Sequence, residues 1–417
     1  MEVFMIKLTK SFPLVLTLAL SVAAAQTLEL YNDKPDWNSN YTKVGDLGAK
    51  SGAGFKGVTF ADPSTYQAAV RTSLSTSKAP AMFTWWSGYR MKDLVESGTL
   101  QDLTPIWQKY QKAGEYGSDL AKAFTFDGKI YALPNNVAYW AVFYNKKAYK
   151  DAGITPPTTW AQLESNNAKL KARGVTAFGQ SVEDRWPAFI WFEEFLTRQD
   201  PDLYERLMVG KAKYTDPGVT KVFTTWKSWM DKGYFTPAST GFGSGGTNGM
   251  AKLFAQGKLA NILAGDWYTA TIAGTGLKPG EDYGVFILPT MNAKAKPVII
   301  YEASPLIVSK NAVNKAQALK VADFWMSAKA QTLWSNLQSF TPVNNEVTVD
   351  NPVTKELTSA LSKSKPRLIN RIWEATPTEI IEPGVDELSK FMLDPSTQSQ
   401  VQANLQKLAD AYWNKQK

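Results

Sequence analysis

Along the chain, short apolar runs take turns with longer stretches in which apolar positions recur every three or four residues. Leu28-Glu29-Leu30-Tyr31 reads as a strand, Tyr41–Lys50 as a helix and Gly57–Phe60 as a strand. Pro63–Ser77 follows as a helix with Val70 and Leu74 on one face, then Ala81–Thr84 as a strand. This βαβαβ order predicts the start of a parallel sheet with right-handed crossovers. Ligands in such sheets sit beyond the carboxyl ends of the strands. Topology alone therefore nominates Asn32–Trp37, Ala61–Asp62 and Trp85–Arg90, with Trp37 a ligand candidate by position.

Further on, Thr125–Ile130 predicts a hairpin that turns at Asp127-Gly128. Two strand-like runs, Ile130–Leu133 and Tyr139–Tyr144, are separated by Pro134-Asn135-Asn136, and a first crossing between lobes is expected near Pro134–Tyr139. A helix ends near Ala152-Gly153, Pro156-Pro157 blocks its extension, and Thr158 or Thr159 caps a helix reaching Arg173-Gly174. Val219, Val222, Phe223, Trp226, Trp229 and Met230 recur at helical spacing, the mark of a core face. Gly241–Gly246 lacks the Lys-Ser/Thr ending of a phosphate loop and is expected to be a mobile loop near the cleft. Strands at Leu259–Leu263 and Tyr283–Leu288 bracket Ala264-Gly265-Asp266-Trp267, where Gly265 leaves room for a ligand near the backbone. Val298–Tyr301 runs through Glu302-Ala303-Ser304 into Pro305–Ser309, which predicts a return crossing, and the chain is mostly helical beyond Asn314.

Composition narrows the function. A chain of 417 residues, 44% hydrophobic, exceeds the size at which one core keeps growing, so two lobes are expected. Lys7 and Lys10 precede an uncharged apolar stretch, Phe12–Ala25, that ends in three alanines; this predicts a secretory signal at residues 1–25, cleaved after Ala25. Met5-Ile6-Lys7 reads as the start of that signal. The stretch is shorter than the roughly 20 residues a spanning helix needs. No cysteine is present, so neither disulfides nor a lipid anchor is expected, and a free periplasmic monomer fits. The formal charge of +8 is spread among acidic residues, which argues against nucleic acid as a partner. Without His or Cys, the usual nucleophile systems and zinc or copper sites are excluded, and neither metal nor cofactor is expected. Fifteen tryptophans point elsewhere, because flat indole faces suit sugar rings.

Several blocks carry a family likeness. They are Asn32-Asp33-Lys34 after the first strand, Ala79–Arg90 around the third, and the helix-like Leu94–Leu100. Gly128–Pro134, Tyr144-Asn145-Lys146 and Pro156–Trp160 follow, then Ala255–Ala260 with Gly265-Asp266-Trp267, and Pro366–Trp373. In order and spacing the chain resembles the extracellular solute-binding proteins of sugar ABC transporters, the group that includes maltose-binding proteins. It departs from them at the second crossing, where Tyr301-Glu302-Ala303 replaces the usual glycine pair.

The resemblance implies an α/β, two-lobed periplasmic-binding-protein fold. Each lobe would be a mainly parallel sheet flanked by helices, with ligand in the interlobe cleft. The first lobe would comprise 26–135 plus about 303–345, and the second about 136–302 plus about 346–417. Carried over by position, Asp33, Lys34, Trp86, Ser87 and Arg90 would contact ligand from the first lobe, and Asn136 and Tyr139 from the crossing. Asp184, Trp186, Trp267, Arg371 and Trp373 would do so from the second lobe and later segments, with Glu302 added at the second crossing. The implied partners are a di- or oligosaccharide and the membrane permease subunits of an ABC importer.

Two alternatives stand beside this reading. A glycoside hydrolase needs two carboxyl groups roughly 5–10 Å apart. Glu193-Glu194 splay apart as neighbours on a helix and read as surface charges, while Asp266 and Glu302 could approach across a cleft. The other is a binder of a non-sugar solute such as a polyamine, an iron complex or a phosphodiester: polyamines would call for a markedly acidic cleft and phosphate for a dense set of donors, whereas the candidate residues mix both with aromatics. Trp85 and Trp86 are adjacent on extended backbone and point to opposite sides, so only one faces the cleft, and Trp86 is favoured. Trp160 and Trp191 are expected in the core.

Overall fold

The structure, a computed structural model, describes residues 27–60, 62–183, 185–243, 249–292 and 295–416. The expected signal, Ala61, Asp184 and residues 244–248 of the glycine-rich loop lie outside the described residues. The strands are β1 (Leu28–Asn32), β2 (Phe55–Thr59), β3 (Met82–Thr84), β4 (Thr125–Phe126), β5 (Lys129–Ile130) and β6 (Ala132–Asn145). They continue as β7 (Thr176–Phe178), β8 (Leu259–Gly265), β9 (Tyr283–Phe286), β10 (Val298–Val308) and β11 (Arg367–Asn370).

β1 lies between β2 and β3, parallel to both, with helices Asn38–Ala49 and Pro63–Ser73 as the crossovers. β4 and β5 form the expected hairpin, turning through positive φ at Asp127 and Gly128. Helix Trp160–Ala172 starts where Thr159 accepts a hydrogen bond from Gln162 N, and the preceding helix, Lys146–Ala152, ends on left-handed Gly153.

The crossings differ from expectation. Pro134 does not interrupt the strand: β6 runs unbroken through it, and β10 runs unbroken through Glu302-Ala303-Ser304. These long strands pair antiparallel from Tyr139 opposite Tyr301 to Ala132 opposite Ile307. Asn136 faces Ser304 and Pro134 faces Pro305, so Asn135 is an extra residue at a register shift. A bulge is where a sheet tolerates proline, which has no N–H to give the ladder. The bulge is satisfied from outside it: Trp334 Nε1 donates to Asn135 O at 2.6 Å and Tyr41 OH to Asn135 Oδ1 at 3.0 Å.

Because β6 and β10 are long, one sheet path, β2-β1-β3-β10-β6-β8-β7, threads both halves, with β9 on β6 and β11 on β10. The crossing strands add antiparallel pairings to the parallel ones, so the sheet is mixed. β11 is a further difference, a short strand inside the helical C-terminal region, paired with β10.

Two separate hydrophobic cores flank the crossing. One draws on residues between 28 and 137 and between 303 and 340, the other on residues between 140 and 300 and between 353 and 409. The sequence forms two because each amphipathic helix set covers only its own end of the long strands. Trp85, Trp107, Trp325 and Trp334 fill the first core and Trp140, Trp191, Trp226 and Trp229 the second. Trp160 is half-buried and stacks on Trp229 with ring centres 5.5 Å apart. Exposed indole surface is therefore confined to a few other positions. Among the described residues no helix is long and apolar enough to cross a membrane.

Candidate functional site

Where the two cores meet, aromatic side chains that neither core encloses gather beside charged ones. Tyr139 and Trp267 are half-buried and pack against both cores, so they mark the junction. Trp37 and Trp86 lean on the first core, Trp186 and Trp373 on the second.

On the first side, Lys34 Nζ donates to the Asp33 carboxylate at 2.9 and 3.1 Å and lies 5.3 Å from the Trp37 ring centre and 6.0 Å from that of Trp86. Thr84 Oγ1 donates to Asp33 at 3.0 Å, tying the ends of β1 and β3 together. Trp85 turns inward, with Nε1 donating to Arg90 O, while Trp86 stays half-buried. Ser87 is buried and its Oγ has no hydrogen-bond partner among the described residues.

On the second side, Trp267 Nε1 donates to Glu302 Oε1 at 2.8 Å, and its ring centre lies 6.3 Å from Trp186 and 6.4 Å from Trp140. Trp186 packs edge-on against Phe242 at 4.8 Å. Glu302 also pairs with Arg371, whose other donors grip Glu374 at 2.6 and 2.9 Å. Burial pushes the Glu302 carboxyl up, while Arg371 and, more weakly, Lys34 pull it back, which places the two sides in one electrostatic space. For Arg371 burial acts downward, yet Glu302 and Glu374 outweigh it and raise its pKa. An ion so enclosed is tolerated only when paired and hydrogen-bonded. The structure thus commits Arg371 to carboxylates: it fixes Glu302, and through Glu302 the indole of Trp267. The space at Gly265 is likewise taken, since a Cβ there would fall 2.3 Å from Trp267 Nε1. That glycine admits the chain's own indole where the sequence reading left room for a ligand.

Arg90 spans the junction. Its Nη1 donates to Trp373 O at 3.1 Å, its guanidinium lies 4.5 Å from the Trp373 ring centre, and Nη2 donates to Glu382. Nearby Gly88, at φ +66, comes so close that a Cβ would lie 1.9 Å from Glu374 O, an approach open only to glycine. The two lobes are therefore in contact.

Asp266, beside Trp267, is buried. Thr341 donates to its Oδ2 through N at 3.0 Å and through Oγ1, whereas Oδ1 has no hydrogen-bond partner among the described residues. Burial pushes its carboxyl up to about 7, with the Thr341 donors opposing. Burial likewise raises Tyr139 to about 12, helped by the charges of Asp266 and Tyr301. Asn136 is buried within β6, where its Oδ1 accepts from Asn135 Nδ2 at 3.3 Å.

The structure overturns one reading outright. Glu193 and Glu194 are not surface charges: both are fully buried on helix Ile190–Gln199. Glu194 pairs with Arg198 one turn on at 2.6 Å, and Arg198 also donates to Val298 O. Glu193 accepts from Ile372 N at 2.8 Å, anchoring the segment that carries Arg371 and Trp373. Sequence reasoning also missed Glu374 and Glu382. Glu374 stands three residues after Arg371, a spacing that could have revealed it. Glu382 carries no such signal, its partner Arg90 being 292 residues away.

A separate cavity of about 740 Å³ is lined by Tyr89 and Lys92 on one side and by Asp202, Tyr204 and Arg206 on the other; it holds none of the predicted contacts and no tryptophan. Shape and chemistry thus point to different places. The aromatic junction is the candidate site, because enclosed charges and half-buried indoles occur there, and Arg90 and Gly88 bring the lobes into contact beside it. Indole faces there suit apolar C–H surfaces, and the charged groups can exchange hydrogen bonds with hydroxyls.

Comparison with known proteins agrees with this architecture. Residues 57–332 match the family described as bacterial extracellular solute-binding protein, and the chain belongs to it. Among curated relatives, a binding protein of Brucella abortus is 25% identical over 256 residues, covering 61% of this chain and 60% of that protein. The diacetylchitobiose binding protein DasA of Streptomyces coelicolor is 26% identical over 306 residues, 69% of this chain and 66% of that one. The glucose-binding protein GlcS of Saccharolobus solfataricus is 24% identical over 295 residues, 66% and 52%. The chain thus spans about three fifths of the first of these relatives. Of solved structures, a chitin oligosaccharide binding protein shares the fold at TM-score 0.77 and 22% identity, covering 94% of this chain and all of that one. The sugar-binding protein MalE from Xanthomonas citri does so at TM-score 0.74 and 17% identity, covering 94% and 100%.

Proposed function

We propose that this chain is the substrate-binding component of an ABC importer, capturing a di- or oligosaccharide between its lobes and delivering it unchanged to membrane permease subunits. The observation that carries the reading is the set of half-buried aromatics at two separate cores: Tyr139 and Trp267 pack against both, Trp37 and Trp86 against the first, Trp186 and Trp373 against the second. Their faces would stack on sugar rings, while Asp33, Lys34, Ser87, Arg90, Asn136, Asp184, Glu302 and Arg371 would supply or position the polar contacts. Ser87 Oγ and Asp266 Oδ1, buried and without a hydrogen-bond partner among the described residues, are polar atoms a hydroxylated ligand could complete. Sugar binding by the relatives DasA and GlcS supports the ligand class.

The first lobe would comprise 26–135 plus about 303–345 and the second about 136–302 plus about 346–417; the residues on which the two cores draw support this division. The chain would work as a periplasmic monomer after signal cleavage near Ala25, without a lipid anchor, cofactor or chemical step. Ligand touching both lobes favours the arrangement in which they meet.

A thermal-shift screen over galactose, maltose, chitobiose, xylobiose and raffinose tests this, because a ligand bound only by the native state raises its melting temperature. We expect at least one sugar to do so, with recovery of that sugar intact. A flat response across longer oligosaccharides as well would remove the sugar reading, and hydrolysis products would replace it with a glycosidase.

A further inference from the structure

One contact across the junction involves no predicted ligand residue on its second-lobe side. Glu382, on helix Thr378–Leu393, accepts a hydrogen bond from Arg90 Nη2 with one carboxylate oxygen, and its other oxygen lies 3.7 Å from Arg185 Nη1. The carboxylate therefore sits between two guanidinium groups, one from each lobe. Arg185 is clamped in place: it donates to Asp386 through Nε at 2.8 Å and Nη2 at 3.0 Å, and to Glu382 O at 2.9 Å. Its backbone is strained, at φ 64 and ψ −55, a region L residues rarely enter. Such a conformation persists only where the surroundings over-determine it, and here the bidentate Asp386 contact does so. The residue that this turn launches is Trp186.

We propose that Glu382 is a positioning residue for ligand capture. It takes Arg90 only when the lobes meet, while Arg185 keeps it aimed when they separate. The inference rests on the reading of the chain as a protein that closes around a ligand. The physics is a two-partner exchange. With the lobes apart, Glu382 keeps Arg185 and water, so no buried charge is orphaned. With the lobes together, Arg90 is almost wholly enclosed, stacked on Trp373 and neutralised by Glu382. Removing Glu382 would leave that guanidinium enclosed with Trp373 O as its one hydrogen-bond acceptor among the described residues. The penalty falls on the closed state alone, so it shows as faster ligand escape and not as slower capture. The same anchor holds Arg185, so ligand closure and the placement of Trp186 share one support.

The test is Glu382→Gln in the full chain. The protein has no cysteine, so Lys112→Cys on helix Thr104–Lys112 and Lys169→Cys on helix Trp160–Ala172, both exposed positions, accept spin labels at two known sites, one on each side. Pulsed electron resonance then reads the interlobe distance with and without the panel sugar giving the largest melting shift. We expect Glu382→Gln to move the distance distribution toward larger separation, and to speed dissociation of that sugar roughly three- to tenfold with the association rate unchanged. The unliganded melting temperature should stay near that of the parent, which a merely structural residue would not allow. Identical distance distributions together with an identical dissociation rate overturn the proposal. If no sugar binds, the reading of function fails by itself, and the distances of the unliganded protein still decide the role of Glu382.

Discussion

Replacing Trp267 by Phe isolates one atom pair at the centre of the site. The substitution keeps an aromatic face but deletes Nε1–H, the donor that meets Glu302 Oε1 at 2.8 Å. A hydrogen bond to a charged group contributes about 1.5–3 kcal/mol. Glu302 keeps Arg371, so the lower half of that range applies. Trading indole for phenyl loses a few tens of Å² of apolar contact with Trp140, Trp186 and Tyr268, worth about 0.5–1 kcal/mol more. Together the expected loss of unliganded stability is about 2 kcal/mol, a drop in melting temperature of roughly 4–8 °C for a lobe of about 200 residues. Trp267→Ala should cost roughly 2–3 kcal/mol of stability, below the 3–5 of a fully buried indole because Trp267 is only half-buried. It should also weaken sugar binding by roughly 1–3 kcal/mol, about ten- to a hundredfold. Calorimetric melts and titrations on both variants, with Glu302→Gln and the double variant to read the coupling, separate the two contributions. Gln keeps a neutral acceptor, so if Trp267→Phe and Glu302→Gln combine additively, the charge on Glu302 adds nothing to that hydrogen bond. If Trp267→Ala loses stability but binds normally per folded molecule, Trp267 is a packing residue and the site lies elsewhere.

Two further perturbations probe the buried charges. Burial raises Asp266 from its usual 3.8 to about 7, so between those pH values the native protein keeps a proton that the unfolded chain has released; stability falls as pH rises through that window and levels off above it. Asp266→Asn should remove that slope and gain up to about 4 kcal/mol on the parent between pH 4 and 8, read by urea unfolding, and parallel curves would refute the assignment. Glu194→Gln or Arg198→Met should each cost about 3–5 kcal/mol by leaving a fully buried partner unpaired, whereas Glu194→Leu combined with Arg198→Met should recover most of the loss. Equal damage from the double and single variants would show that the pair itself stabilises the lobe.

Much of this protein was legible in its sequence because it rests on local rules. The period of apolar positions located β1, β2 and β3 and their crossover helices, Asp127-Gly128 marked the hairpin, and Thr159 and Gly153 marked helix ends. Each depends on neighbours within a few residues. Position and the family resemblance nominated the tryptophans, and tertiary packing decided between neighbours: Trp85 turned into the core, while Trp86 and Trp267 stayed half-buried at the junction. The continuity of β6 through Pro134 was hidden, because a bulge is defined by the register of two strands and Pro305 lies on the other one. So was the fate of charge. Whether a carboxylate is solvated or enclosed is decided by chain segments remote in sequence: Ile372 for Glu193, Val298 for the Arg198 that pairs with Glu194, and Arg90 for Glu382. The sequence by itself determined most of the local elements and nominated the side chains of the candidate site. Only the tertiary structure decided which of them meet, because burial and charge pairing depend on distances in space that no local pattern encodes.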